Sequence, residues 1–176
     1  VALSVLFIIK MNQKLSILFL FISAIFLSQS NAVTILGKTN INTFRCTNSK
    51  FYSPQDFQEN KNQSIQLNVS DFDCNNRMMT SDFRKTLKSD TFPKMDIKFL
   101  KLEKKYNNNY VGIMEVKIMD KTKIYEVAIL RENNHMRGSG KVRFSDFGIV
   151  PPKKLGGTIV VRDELDLSFV LKTFFN

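Results

Sequence analysis

Near the C-terminus the stretch FSDFGIVPPKKLGG contains Asp146-Phe147-Gly148, the tripeptide with which protein kinases hold magnesium against a nucleotide. That chemistry needs three further parts upstream: a glycine-rich loop over the phosphates, a strand lysine paired to a helix glutamate, and a catalytic-loop aspartate. None precedes residue 146, so the tripeptide reads as a strand end entering a turn. Asp163, Glu164 and Asp166 fall at the start of another strand, where turn carboxylates are common, and make no acid and base pair. The single histidine, His135, has no partners for a metal cluster or a nucleophile triad and reads as an ordinary loop residue. Lys153 and Lys154, after paired prolines, would suit a phosphate or headgroup, but a solvated basic turn explains them better. The sequence offers no catalytic residue and no metal site.

The two cysteines, Cys46 and Cys74, take their chemistry from the compartment. From Met11 the chain reads MNQKLSILFLFISAIFLSQSNA: basic Lys14, an apolar run from Leu15 to Leu27, then small Ser30 and Ala32 at the positions a signal peptidase inspects. This run of 13 residues falls short of the roughly 20 that cross a bilayer. Residues 1 to 32 are therefore read as a signal peptide with upstream sequence, and residues 33 to 176 as one mature domain, periplasmic or secreted. In an exported chain a lone cysteine pair points to a disulfide, since a metal site wants more Cys or His at close spacing. Such a bridge would contribute about 3–4 kcal/mol on the chain-entropy model.

Lys and Arg number 26 against 16 Asp and Glu, a net charge of +10, or about +8 once Lys10 and Lys14 leave with the leader. A basic protein favours anionic partners. Here the cations are interspersed with acids, so the surface reads first as a solvated one; transient contact with an anionic membrane surface is the further expectation, and no nucleic acid partner.

These residues are positioned by elements of period two. In ELDLSFVL, Leu165, Leu167, Phe169 and Leu171 share one face. SIQLNVSDF, MDIKF, YVGIMEVKIMD, KIYEVAIL and GKVRFSDF alternate in the same way, and EKKYNNN, DKT, ENNHMRGSG and VPPKKLGG read as the turns between strands. Short turns join antiparallel neighbours. One segment, MMTSDFRKTLKSDTFP, instead repeats every four residues through Met79, Phe83 and Leu87; Thr80 or Ser81 would cap this helix, and Pro93 would stop it. Roughly eight strands fit the remaining length, the number that closes around packed side chains or one small ligand. The 16 Phe and 7 Met suit either purpose, because pocket-lining and core residues occupy the same face.

In order and in detail, FRCTNSKF, DFDCNNRMMTSDFRKTLKSDTFPKMDIKF and GKVRFSDFGIVPPKKLGGTIVVRDELDLSFVL resemble the YceI-like family of exported lipid-binding proteins, in its two-cysteine form similar to Bacteroidetes members. The most specific parts are the helix leading into Phe92-Pro93 and an I-x-F strand, and the strand that ends in Asp146-Phe147-Gly148. The resemblance implies an all-β fold: an extended antiparallel lipocalin-like barrel of about eight strands with one short helix. It further implies a channel holding a polyisoprenoid, such as an isoprenoid quinone or similar lipid, with no reaction catalysed and no other cofactor. The apolar faces expected to line that channel carry Met114, Val116, Ile118, Tyr125, Val127, Ile129, Phe144, Leu167, Phe169 and Leu171. A one-residue slip of register would send the opposite face inward. The competing expectation is a filled barrel acting as an interaction module of the cell envelope through its basic surface. An outer-membrane barrel is disfavoured by the charged residues opposite the apolar faces.

Overall fold

The structure, a computed structural model, describes residues 31–52, 63–132 and 134–172. Among these residues are strands β1 (Ala32–Thr39), β2 (Thr43–Asn48) and β3 (Gln63–Asn68), the helix α1 (Arg77–Thr86), and strands β4 (Lys94–Lys104), β5 (Asn109–Ile118), β6 (Lys121–Glu132), β7 (His135–Arg143), β8 (Lys153–Lys154) and β9 (Ile159–Lys172). Eight of the strands form one antiparallel sheet in the order β2-β1-β9-β7-β6-β5-β4-β3, and the two-residue β8 pairs with β9. The sheet curls into the lipocalin-like barrel that the sequence predicts. Phe99 on β4 and Phe169 on β9, with three strands between them along the sheet, meet across the interior with ring centroids 5.3 Å apart.

Curling brings the edge strands β2 and β3 towards each other, and the chain ties that seam at one level. Cys46 and Cys74 form the predicted disulfide, with Cα atoms 3.9 Å apart. Beside it, Thr47 N–H donates to the Asp73 carbonyl (2.8 Å), Asp73 N–H to the Thr47 carbonyl (2.9 Å), and the Asn48 carboxamide to the Asn68 carbonyl (3.0 Å). At this level, edge N–H and C=O groups that would otherwise be open to another chain are satisfied within this one.

The helix differs from expectation at its start. Its cap is Asn76, whose side chain accepts from Met79 N–H at 3.0 Å, not Thr80 or Ser81. Thr80 lies one turn further in, where its hydroxyl accepts from Cys74 N–H (3.0 Å) and so fastens the helix to the disulfide. The helix stops ahead of Pro93, because Lys88 takes a left-handed conformation (φ 51°). Phe83 and Leu87 are buried and Met79 half-buried, so the apolar stripe of α1 covers one end of the barrel.

The segment ENNHMRGSG is likewise more ordered than a turn: His135 to Gly140 form most of β7. Glycine is depleted in strands, but here the neighbouring side chains occupy the space of the missing Cβ. A Cβ on Gly138 would lie 1.9 Å from Cζ of Phe169, its partner in register, and one on Gly140 2.7 Å from Val127 Cγ1. His135 is therefore a strand residue, not a loop residue. Of residues 1–32, read as a leader with upstream sequence, 1–30 lie outside the described residues.

Candidate functional site

The opening tripeptide has a structural role. Ser145–Phe147 form a single 3-10 turn after β7, ending at Gly148 with φ 69°, which a Cβ would disfavour. Asp146 accepts from the Tyr125 hydroxyl at 2.8 Å, and Phe147 is buried with its ring centroid 6.3 Å from that of Tyr125. Ser145 donates from its N–H and its hydroxyl to the Asp163 carboxylate, at 2.8 and 2.6 Å. Asp146 and Asp163 thus hold this turn in place. Burial first, and then the adjacent Asp146, push the Tyr125 phenol well above its usual range, so it stays a protonated donor.

The candidate site is the inner wall, and the pairing register builds it row by row. Leu67, Met95 and Ile118 lie abreast on β3, β4 and β5; Ile65, Ile97 and Val116 form the next row. Further along, Gln63, Phe99, Met114 and Tyr125 are neighbours, and Tyr110, Ile129, Gly138, Phe169 and Val33 continue round β5, β6, β7, β9 and β1. Inward side chains alternate with outward polar ones because the pleat has period two. All ten residues expected on the apolar face point inward: Met114, Val116, Ile118, Val127, Ile129, Phe144, Leu167, Phe169 and Leu171 are buried, and Tyr125 is half-buried with its hydroxyl on Asp146.

The same wall includes residues the sequence reasoning did not single out, chiefly Val33, Ile35, Phe99, Tyr110 and Met136. Alternation in MDIKF points to Phe99, whereas Val33 and Ile35 stand in a strand whose outward row also holds Leu36, which blurs the pattern.

Described side chains fill most of this interior. At the helix end, Ile35, Phe83, Leu87, Met95, Phe144 and Leu165 surround a void of about 20 Å³, enough for about one water. Pockets that take a drug-sized ligand measure about 300–1,000 Å³. Admitting a chain molecule therefore means displacing side chains, and those available are adaptable ones: Met95, Met114 and Met136 are unbranched and rotate readily. Among the described residues no group of three His, Cys, Asp or Glu could hold a metal ion.

Residues 25–173 match the model of the YceI-like domain. The chain belongs to the YceI-like family. No curated protein sequence matches it. Among solved structures it is similar to Burkholderia cenocepacia BcnA, with a TM-score of 0.67 at 17% identity over 80% of this chain and 94% of that one. A polyisoprenoid binding domain from Saccharophagus degradans, implicated in plant cell wall breakdown, gives 0.60 at 5% identity over 80% and 91%. The Campylobacter jejuni YCEI protein gives 0.57 at 14% identity over 77% and 82%. At these identities the likeness is one of fold. The disulfide of this YceI-like chain fits an oxidising compartment.

Proposed function

We propose that the protein is an exported, non-catalytic carrier that holds a long polyisoprenoid, such as an isoprenoid quinone or a related lipid, inside the barrel. The observation that carries this reading is the inner wall: inward rows of Leu, Ile, Val, Met and Phe run from β1 to β9. Membership of the YceI-like family and the likeness to a domain described as polyisoprenoid binding support it. Burying a CH₂ gains about 0.8 kcal/mol, so an isoprene unit of about five carbons gains about 4 kcal/mol before displaced side chains are counted. Chain length and the groups at the mouth would then set selectivity.

Close packing of the interior favours a second reading, a filled barrel that acts as an interaction module through its basic surface. Thermal unfolding with isoprenoid alcohols and quinones of increasing length separates the two. A carrier shows a midpoint that rises with chain length, and Phe169→Asp, placing a charge among buried residues, removes the rise. A midpoint indifferent to every length refutes the carrier.

A further inference from the structure

The end of the barrel covered by α1 differs from the other in what it exposes. By the antiparallel order, this end gathers the β1–β2 hairpin tip at residues 40–42, the helix, the β5–β6 turn and the segment 144–158. Three aliphatic side chains here stand in solvent: Ile41 is 69% exposed, Val150 80% and Leu155 76%. The tips that carry Ile41 and Leu155 are held close together. Asn40 donates from its N–H to the Val160 carbonyl (3.2 Å) and from its carboxamide to the Thr158 carbonyl (2.9 Å). On the opposite side of the same stretch of β9, Lys153 and Lys154 pair with Val160 and Ile159. The hairpin tip and β8 are thus two strand spacings apart, roughly 10 Å. Leu155 is presented outward by three successive left-handed residues, itself at φ 49°, Gly156 at 65° and Gly157 at 97°, a conformation that leucine seldom adopts.

Cations rim these tips. Lys153, Lys154 and Arg162 are exposed; of the carboxylates at this end, Asp163 is engaged by Ser145, Asp146 by Tyr125 and Asp82 by Lys154, while Asp90 and Asp120 are exposed. Separate aliphatic tips bordered by lysines suit hydrocarbon lying under a layer of phosphates. A protein partner would instead favour a contiguous apolar core within a polar rim.

We infer that this end of the barrel is a docking surface for an anionic phospholipid bilayer, with Ile41, Val150 and Leu155 entering the interface and Lys153 and Lys154 engaging phosphates. Docking acts on the helix as well. The Lys154 ammonium lies 2.7 Å from Asp82 of α1, so lipid phosphates compete for the group that ties α1 to this loop. Only that consequence rests on the carrier reading; membrane binding is read independently of whether the barrel holds a lipid.

Flotation of the full chain with vesicles of phosphatidylcholine containing about one-third phosphatidylglycerol, and with phosphatidylcholine alone, tests the surface. The expected result is binding to the anionic vesicles that weakens with salt, is lost about ten-fold or more in an Ile41→Asp/Leu155→Asp variant, and falls several-fold in Lys153→Glu. Both tips are in solvent, and Asp accepts the left-handed backbone at position 155. Tyr106→Asp, in the β4–β5 turn at the opposite end, should bind as the parent does. The inference is overturned by a parent chain that does not float with the anionic vesicles or floats equally with neutral ones, by unimpaired tip variants, or by an equal loss in Tyr106→Asp.

Discussion

Replacing Gly138 by alanine tests the packing that fills the barrel. The new Cβ would stand 1.9 Å from Cζ of Phe169 and 2.4 and 2.5 Å from its two Cε atoms, where ordinary contact begins near 3.4 Å. The ring must move inward by about 1.5 Å, but the edge-on ring of Phe99 already lies there, 5.3 Å away between centroids. Overpacking costs about 1–3 kcal/mol, and with a rigid ring on each side the upper half of that range is expected. For a domain of this size this lowers the unfolding midpoint by about 6–12 °C. Phe169→Leu alone loses packed atoms and costs about 1–2 kcal/mol. Combined with Gly138→Ala it relieves the clash, so the double variant should exceed the additive stability by about 1 kcal/mol or more. Urea unfolding of the four chains with the disulfide intact gives the cycle. Additivity within about 0.5 kcal/mol, or a Gly138→Ala chain as stable as its parent, would refute the account of Phe169 packed over Gly138.

Three further perturbations probe the seam, the turn and the helix. Cys46→Ser with Cys74→Ser should cost about 3–4 kcal/mol, and reductant should lower the urea midpoint of the parent but not of the variant. Tyr125 has a raised folded-state pKa, so its contribution is complete below its unfolded value of about 10 and is lost as pH rises towards the folded one. Tyr125→Phe should therefore cost about 0.5–1.5 kcal/mol at neutral pH and flatten the fall in stability above pH about 10; an unchanged alkaline profile would contradict the Asp146 contact. Asp82→Asn breaks the partly exposed ion pair with Lys154 and should cost no more than about 1 kcal/mol. It should quicken uptake of an isoprenoid quinone in stopped-flow fluorescence without weakening vesicle flotation, and an unaltered uptake rate would remove Lys154 as a tie on the helix.

Strands β3, β4, β5, β6 and β9 were legible because each sets an apolar face against a polar one, and a sheet wet on one side enforces that alternation. The register followed for the same reason, placing Leu167, Phe169 and Leu171 inward together. Where two residues share a role, the pattern fails. Gly138 and Gly140 look like turn residues until Phe169 and Val127 are seen to occupy their side-chain space. In β1, buried Gly37 is covered by Phe44 of β2, so a small residue marks an inner position and half-buried Leu36 an outer one. A shift in register between Phe99 and Lys101 also resets the parity of β4, turning Leu102 towards Gly112 on the inner side. The seam from Thr47 to Asp73 joins segments that only the curl of the sheet brings together, and no local periodicity encodes it. Nor can periodicity separate a lined channel from a packed core, since both put the same side chains on the same face.

The most direct test of the carrier account is native mass spectrometry of the full chain, made in cells that synthesise isoprenoid quinones and purified without detergent, followed by organic extraction. The account predicts a discrete added mass on the disulfide-bonded polypeptide that extracts as a polyisoprenoid. A bare polypeptide that also takes up no quinone or polyprenol offered in vesicles would contradict it and leave the filled barrel as the working form.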